Sequence, residues 1–294
     1  MAYVIIKQEC AEDNHLSIDQ MCECLSVSRS SYYKWDNRTQ LPDQQDPYEM
    51  ELRNEIQKIA IEFSSYGYRR VTMELHRRGY KANHKHVLRI MEADNLLCIK
   101  KKFIPRTTDS DHSFRIYSNL AEELEVTNIN QLWVADITYI RLVKEFVYLA
   151  VILDVFSRKC IGWCLSREID TYLTLNALKM ALENRKYMDL SGLVHHSDRG
   201  VQYASNDYIN HLKENNIRIS MSRKGNPYDN AFAESFIKTL KYEEVYLKEY
   251  ESFDDAYGNI KEFIEEVYNE KRIHSSISYL TPNEFEIKTS NTNQ

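Results

Sequence analysis

The sequence predicts an α/β protein, a mixed sheet with flanking helices preceded by small all-α modules. Three observations carry this. Residues 132–142, 145–157 and 159–166 are three runs rich in β-formers that follow one another closely. Beyond them helical and strand patterns alternate. Ahead of residue 106, wherever an apolar period is visible, it is the helical one.

The first element is signalled by Ser17-Ile18-Asp19-Gln20, a capping box with Ser at the cap and Gln three residues on. The helix it opens reaches Leu25, and a second runs from Ser28 to Trp35, so residues 1–40 read as a short helix-turn-helix-like segment. Residues 48–105 form a clearer module. Helical pattern covers 48–63 and 69–78, Gly79 breaks it, and Asn83 caps a third helix. Val87, Ile90 and Met91 make that helix's inward face. Lys85, His86 and Arg89 occupy the other, as suits a recognition helix in a major groove, and Lys100, Lys101 and Lys102 beyond it suit phosphates. His84 and His86 read as surface residues, because no cysteine pair completes a zinc set and no zinc is expected.

Charge supports the same division. The chain of 294 residues carries a net −6, yet residues 53–106 hold thirteen Lys/Arg against five Asp/Glu, a local +8 that leaves −14 for the rest. A basic module joined to an acidic one fits DNA binding beside a metal-using or self-associating domain. The six cysteines, at 10, 22, 24, 98, 160 and 164, show no CxxC pair and read as reduced thiols of a cytosolic protein. No apolar run approaches the roughly 18 residues of a membrane span, and no secretory signal opens the chain.

Residues 106–124 are polar without an apolar period and read as a linker, with a core domain over 125–290. Within it Val143-Lys144 separate the first two strand runs, which predicts an antiparallel hairpin. A helix at 171–186, a strand at 192–198, a helix at 206–215, a strand at 217–222 and a helix at 231–246 complete the pattern.

Three acids stand out. Asp136 lies in the strand LWVADITYI, on the face of Leu132 and Val134, where a charge needs a compensating base or a bound cation. No Lys or Arg lies between Arg115 and Arg141, although a base from a distant segment stays open. Asp198 ends the strand leading into HHSDRGVQY. Asp-x-Gly is also ordinary turn chemistry. Glu234 sits in the first turns of the helix that follows Asp229-Asn230. Two acids at strand ends and one on a helix can converge at one sheet edge, where such a cluster can hold two Mg²⁺ ions. Lys241, seven residues after Glu234, shares its helix face. His195 and His196 read as satisfied polar residues, and Asp154 as an acid beside the site rather than a ligand.

WVADIT, HSDRGVQY and NAFAESFIKTLKYE resemble the catalytic motifs of bacterial insertion-sequence transposases with a retroviral-integrase-like core. The likeness is to the downstream-frame product of the two-reading-frame, copy-out–paste-in group, and YGYRRVTMELHRRGYKANHKHVLRIM resembles that group's helix-turn-helix module. It covers nearly the whole chain. Ala135 departs from the Thr common in the family, beside the ligand position. The resemblance implies a ribonuclease-H-like fold, with Asp136, Asp198 and Glu234 as catalytic ligands of two Mg²⁺ (or Mn²⁺) ions. It implies a basic residue at Lys241 contacting DNA near the site, and Arg223, Lys224 and Asn230 of the preceding loop join the expected DNA contacts. The implied partners are double-stranded DNA (terminal inverted repeats and target), further copies of the chain on DNA, and an upstream-frame partner or fusion, in a bacterial cytoplasm. A DNA-binding regulator with a disabled core is the alternative.

Overall fold

The computed structural model describes residues 2–11, 16–40, 47–97, 114–223 and 230–292. The chain divides into two compact units, residues 1–55 and 56–294.

In the first unit, α1 (Ala2–Ala11), α2 (Ile18–Cys24) and α3 (Arg29–Gln40) enclose Ile6, Met21, Cys22 and Tyr32. The capping box forms as expected: Ser17 Oγ accepts from Gln20 N, and Gln20 Oε1 accepts from Ser17 N. Helix α1 was not anticipated, since it has no capping signal and buries a single core residue, Ile6.

The division falls inside α4 (Pro47–Glu62), which is followed by α5 (Tyr68–Arg77) and α6 (His84–Ala93). Ile56, Ile59, Phe63, Val71, Leu75, Val87, Ile90 and Met91 are all buried. Asn83 Oδ1 caps α6 by accepting from Lys85 N. Gly79 takes φ +89°, the left-handed conformation that ends α5 at low cost. This helical module is docked on the C-terminal part of the same unit. Tyr66 Oη accepts from Ile273 N (3.0 Å), and Arg77 reaches Glu284 with both Nη atoms.

The sheet has the order β3-β2-β1-β4-β5. Strands β1 (Leu132–Arg141), β2 (Phe146–Asp154) and β3 (Cys160–Ser166) are antiparallel neighbours, and β4 (Val194–Ser197) and β5 (Arg218–Met221) add in parallel beside β1. Period-two alternation sends Trp133, Ala135, Ala150 and Ile152 to one face, under α7 (Thr171–Asn184) and α9 (Asn206–Glu214). Gly162 lets α7 approach β3, because a Cβ there would lie 2.3 Å from Ala177 O. Leu132, Val134, Val151 and Leu153 line the other face, under α10 (Ala231–Glu243), α11 (Phe253–Glu262) and the π-helical turn Phe263–Tyr268. A short helix, α8 (Val201–Ala204), and α12 (Pro282–Thr292) complete the fold. This is the mixed, helix-flanked sheet that the sequence predicts, with the ribonuclease-H-like strand order.

Residues 114–124 of the expected linker lie on the core. Leu120, Ala121 and Leu124 pack against it, Phe114 and Tyr117 pack beside Ile209 and Met221, and Ser220 Oγ accepts from Leu120 N. Their apolar side chains are spaced irregularly, so no period announced them. Among the described residues no helix is long and apolar enough to cross a membrane.

Candidate active site

Backbone register builds the centre of the site. Strand β4 pairs in parallel with β1 at Leu132↔Val194, Trp133↔His195 and Val134↔His196. Asp136 lies two residues past this ladder on β1 and Asp198 directly follows the end of β4, so the two acids sit at the same end of neighbouring strands. The bulge-free pairing of β1 with β2 keeps Asp136 on the same face as Leu132 and Val134, the face that α10 covers. Ala233, Phe236 and Leu240 anchor α10 there, so its first turn carries Glu234 to the same edge.

Asn230, the residue before α10, fastens this arrangement. It is buried, and its Nδ2 donates to Ala135 O (3.0 Å), the carbonyl just before Asp136. The expectation that Asn230 contacts DNA is therefore corrected. Its polarity suggested exposure, but docking of α10 buries it. Its Oδ1 has no hydrogen-bond partner among the described residues.

The turn at Asp198 plays two parts. Asp198 Oδ1 accepts from Gly200 N (2.9 Å), an ordinary turn bond, and a Cβ at Gly200 would stand 3.0 Å from that oxygen. The same turn holds the carboxylate beside Asp136. Asp136 Oδ1 accepts from Ile137 N (2.9 Å). Burial, then the charge of Asp198 and that of Glu234, push the Asp136 carboxyl up to about 8, against the opposing pull of the Ile137 N–H and Lys241. Burial also raises Glu234. The acids raise one another's pKa more than Lys241 offsets, and hard carboxylate oxygens are the donors a divalent cation takes, so the chemistry of these residues fits such an ion. Among the described residues, no group of three or more His, Cys, Asp or Glu side chains stands close enough together to hold a metal ion as the side chains lie.

Lys241 is half-buried on α10, with Nζ 4.6 Å from the centre of the Tyr139 ring. Burial lowers its pKa and Asp136 raises it, so the base from a distant segment that the sequence left open is partly this lysine. Its nearby acids are otherwise engaged, Glu243 by Arg272 and Glu244 by Lys248.

The remaining expected residues separate. Lys85 and Arg89 are exposed on α6, opposite its buried face. Arg223 is half-exposed and pairs with Glu122 (2.9 Å). Lys100, Lys101, Lys102 and Lys224 lie outside the described residues. His196 is buried between Ser220 Oγ (2.8 Å) and Ser222 Oγ (3.0 Å), and His195 meets Tyr208 Oη at 2.9 Å with its pKa driven down by burial to about 3. Both are satisfied polar residues, as expected. Asp154 turns away from the site, accepting from Asn130 N (2.7 Å) and Ser157 N (2.9 Å). Tyr203, the last residue of HHSDRGVQY, carries no role that sequence reasoning could assign. Its buried hydroxyl has no hydrogen-bond partner among the described residues and feels the charge of both Asp136 and Asp198.

Comparison with known proteins gives the family. The family described as an integrase core domain matches residues 127–227, a second integrase core domain family matches 215–282, and an HTH-like domain matches 47–103. The transposase InsF of insertion sequence IS3A from Escherichia coli (strain K12) is 36% identical over 296 residues, covering 98% of this chain and 99% of its own. A 31 kDa protein of insertion element IS600 from Shigella sonnei is 35% identical over 269 residues, covering 91% and 98%. The catalytic core domain of BIV integrase is similar at 20% identity and a TM-score of 0.40, over 56% of this chain and 98% of that one. Aligned along nearly its whole length with such relatives, the chain belongs to the insertion-sequence transposases of the IS3 family.

Proposed function

We propose that the chain cleaves one DNA strand at each end of its insertion element and uses the freed 3′-OH to attack phosphodiesters, as a divalent-metal-dependent polynucleotidyl transferase. One observation supports the reading: the charges of Asp198 and Glu234 both raise the Asp136 carboxyl, at the end of the β1–β4 pairing where Asn230 ties the start of α10 to β1. These three carboxylates would hold two Mg²⁺ or Mn²⁺ ions. Such ions, when bound, favour the ionised attacking oxygen and stabilise the leaving one.

The chain's own groups do the rest. Asp136, Asp198 and Glu234 must be ionised together, so a carboxyl raised to about 8 gives up its proton as the site loads. Lys241 presents a cation beside the carboxylates, where a DNA phosphate would approach. Lys85 and Arg89, one helical turn apart on the exposed face of α6, would read base edges in the terminal inverted repeats. Holding two element ends calls for further copies of the chain on DNA, and an upstream-frame partner or fusion fits the same assembly. The setting we infer is the bacterial cytoplasm, on the nucleoid.

The test replaces each acid by its neutral isostere. Asp136→Asn, Asp198→Asn and Glu234→Gln should each abolish cleavage of element-end DNA in Mg²⁺ while end binding survives. Near-normal cleavage by one variant removes that residue from the site. A wild-type chain that binds ends and never cleaves them, alone or with its upstream partner, is instead a DNA-binding regulator.

A further inference from the structure

On another flank of α10 lies a cavity of about 150 Å³ that the catalytic geometry does not use. At about 100° per residue, Ser235 and Thr239 sit about 100° and about 140° around the helix from Glu234. Both line this cavity. So do Arg70 from α5, Arg158 from the β2–β3 turn, and Arg272 and His274 from the C-terminal segment, side chains from four separate parts of the unit.

Three guanidiniums at one small cavity need an explanation. Arg272 has one within the protein: Glu243 receives its Nε and Nη2 at 2.7 and 2.8 Å, and its Nη1 donates to the His274 ring. Arg70 is more weakly held, 3.9 Å from the same Glu243. Arg158 has no carboxylate partner among the described residues. Its guanidinium lies over the Phe232 ring, 4.3 Å from the centroid, and burial lowers its pKa. Arg158 also adopts φ +66°, where glycine or asparagine would sit with less strain, so turn geometry does not account for an arginine there. The other acid at the cavity, Asp154, spends its oxygens on Asn130 N and Ser157 N. Burial and the surrounding arginines hold His274 neutral, with its pKa pushed down to about 2. The Ser235 and Thr239 hydroxyls make no hydrogen bond to another described residue and remain able to donate. Partly desolvated guanidiniums facing free hydroxyls, without enough carboxylate to neutralise them, are what a phosphate group binds.

We propose that this cavity binds a phosphodiester of the DNA on which the chain acts, held by Arg158 and Arg70 with help from the Ser235 and Thr239 hydroxyls, on the flank of α10 turned away from Glu234. The assignment to DNA rests on the transposase reading above. It adds a second anchoring point, between the HTH-like module and the sheet, apart from both the recognition helix and the catalytic carboxylates.

The test measures affinity of the full-length chain for a mixed-sequence DNA duplex across a range of salt. Each neutralised phosphate adds about 0.9 to the slope of log affinity against log salt. Arg158→Gln should lower that slope by about one phosphate's worth with an unchanged melting temperature, and Arg158→Lys should keep most of it. Ser276→Asp, at an exposed position on the cavity rim, places a negative charge there without disturbing the core and should weaken binding in the same way. An unchanged slope in both Arg158→Gln and Ser276→Asp overturns the proposal. A parallel titration with inorganic phosphate separates the sources. Stabilisation of the wild-type chain by phosphate, absent in Arg158→Gln while the DNA slope stays put, makes this a free-anion site and equally overturns the assignment to DNA. The slope needs no cleavage, so failure of the cavity and failure of the catalytic reading show up in different assays.

Discussion

Replacing Asp136 by Asn should stabilise the metal-free protein, and by an amount that depends on pH. The carboxyl is raised from an ordinary 3.8 to about 8 by burial and by the charges of Asp198 and Glu234. Between those values the folded chain binds a proton that the unfolded chain has lost. Stability associated with this group is thus full below pH 4 and drains away as pH rises towards 8. At about 1.4 kcal/mol per pH unit the ceiling on the loss is on the order of 5–6 kcal/mol. Asp136 keeps some solvent contact, so about half of that is the better expectation. The Asn variant keeps an Oδ1 to accept from Ile137 N and carries no charge. Its melting temperature in EDTA should match the wild type near pH 4 and exceed it by on the order of 5–10 °C above pH 8. Saturating Mg²⁺ should reverse the order at high pH, because the wild-type site gains ligand stabilisation that the variant lacks. Thermal unfolding from pH 4 to pH 9, with EDTA and with Mg²⁺, reads all of this. A difference between the two proteins that stays flat with pH would refute the electrostatic account of Asp136.

Two other perturbations address the DNA-facing groups. Lys241→Ala should slow strand joining on element-end DNA with little change in melting temperature, and Lys241→Arg should retain much of the rate. Wild-type joining by the Ala variant would leave Lys241 as a packed helix residue over Tyr139. Replacing Lys85 and Arg89 together by Ala should weaken end binding by roughly 1–3 kcal/mol for each side chain that reads a base edge. Equal weakening on random DNA, measured in the same titration, would make them phosphate-binding residues instead.

What could be read from the sequence follows from which interactions are local. The period of two in β1, with Leu132, Val134 and Asp136 on one face, and the capping signals at Ser17 and Asn83 are local, and each reappears in the structure. Asn230 misled because its environment is made by a helix docking onto a strand 95 residues away in sequence. The arginine cavity was equally hidden. Arg70, Arg158 and Arg272 belong to a helix, a turn and a loop, and only the packing of α5 and the C-terminal segment against the sheet brings them together. Phe114, Tyr117 and Leu120 lacked a period, so a docked segment read as a linker.

The parallel pairing of β1 with β4 also sorts the chain by its tolerance of length change. Because Asp136 and Asp198 meet through strand register, the 62-residue interval between them does not itself set their spacing. Residues added at the exposed tip around Tyr187 to Ser191, or between β3 and α7, would lengthen a crossover and leave the two acids side by side. A single residue inserted between Leu132 and Asp136 would do the opposite. It would turn the acid to the face under α7, among Trp133, Ala135 and Ile152, and present an apolar side chain to Glu234. The length drift this candidate site can absorb is therefore concentrated in its connections, and the four residues leading into Asp136 are where a frame of one amino acid decides whether the acid faces α10 or the core under α7.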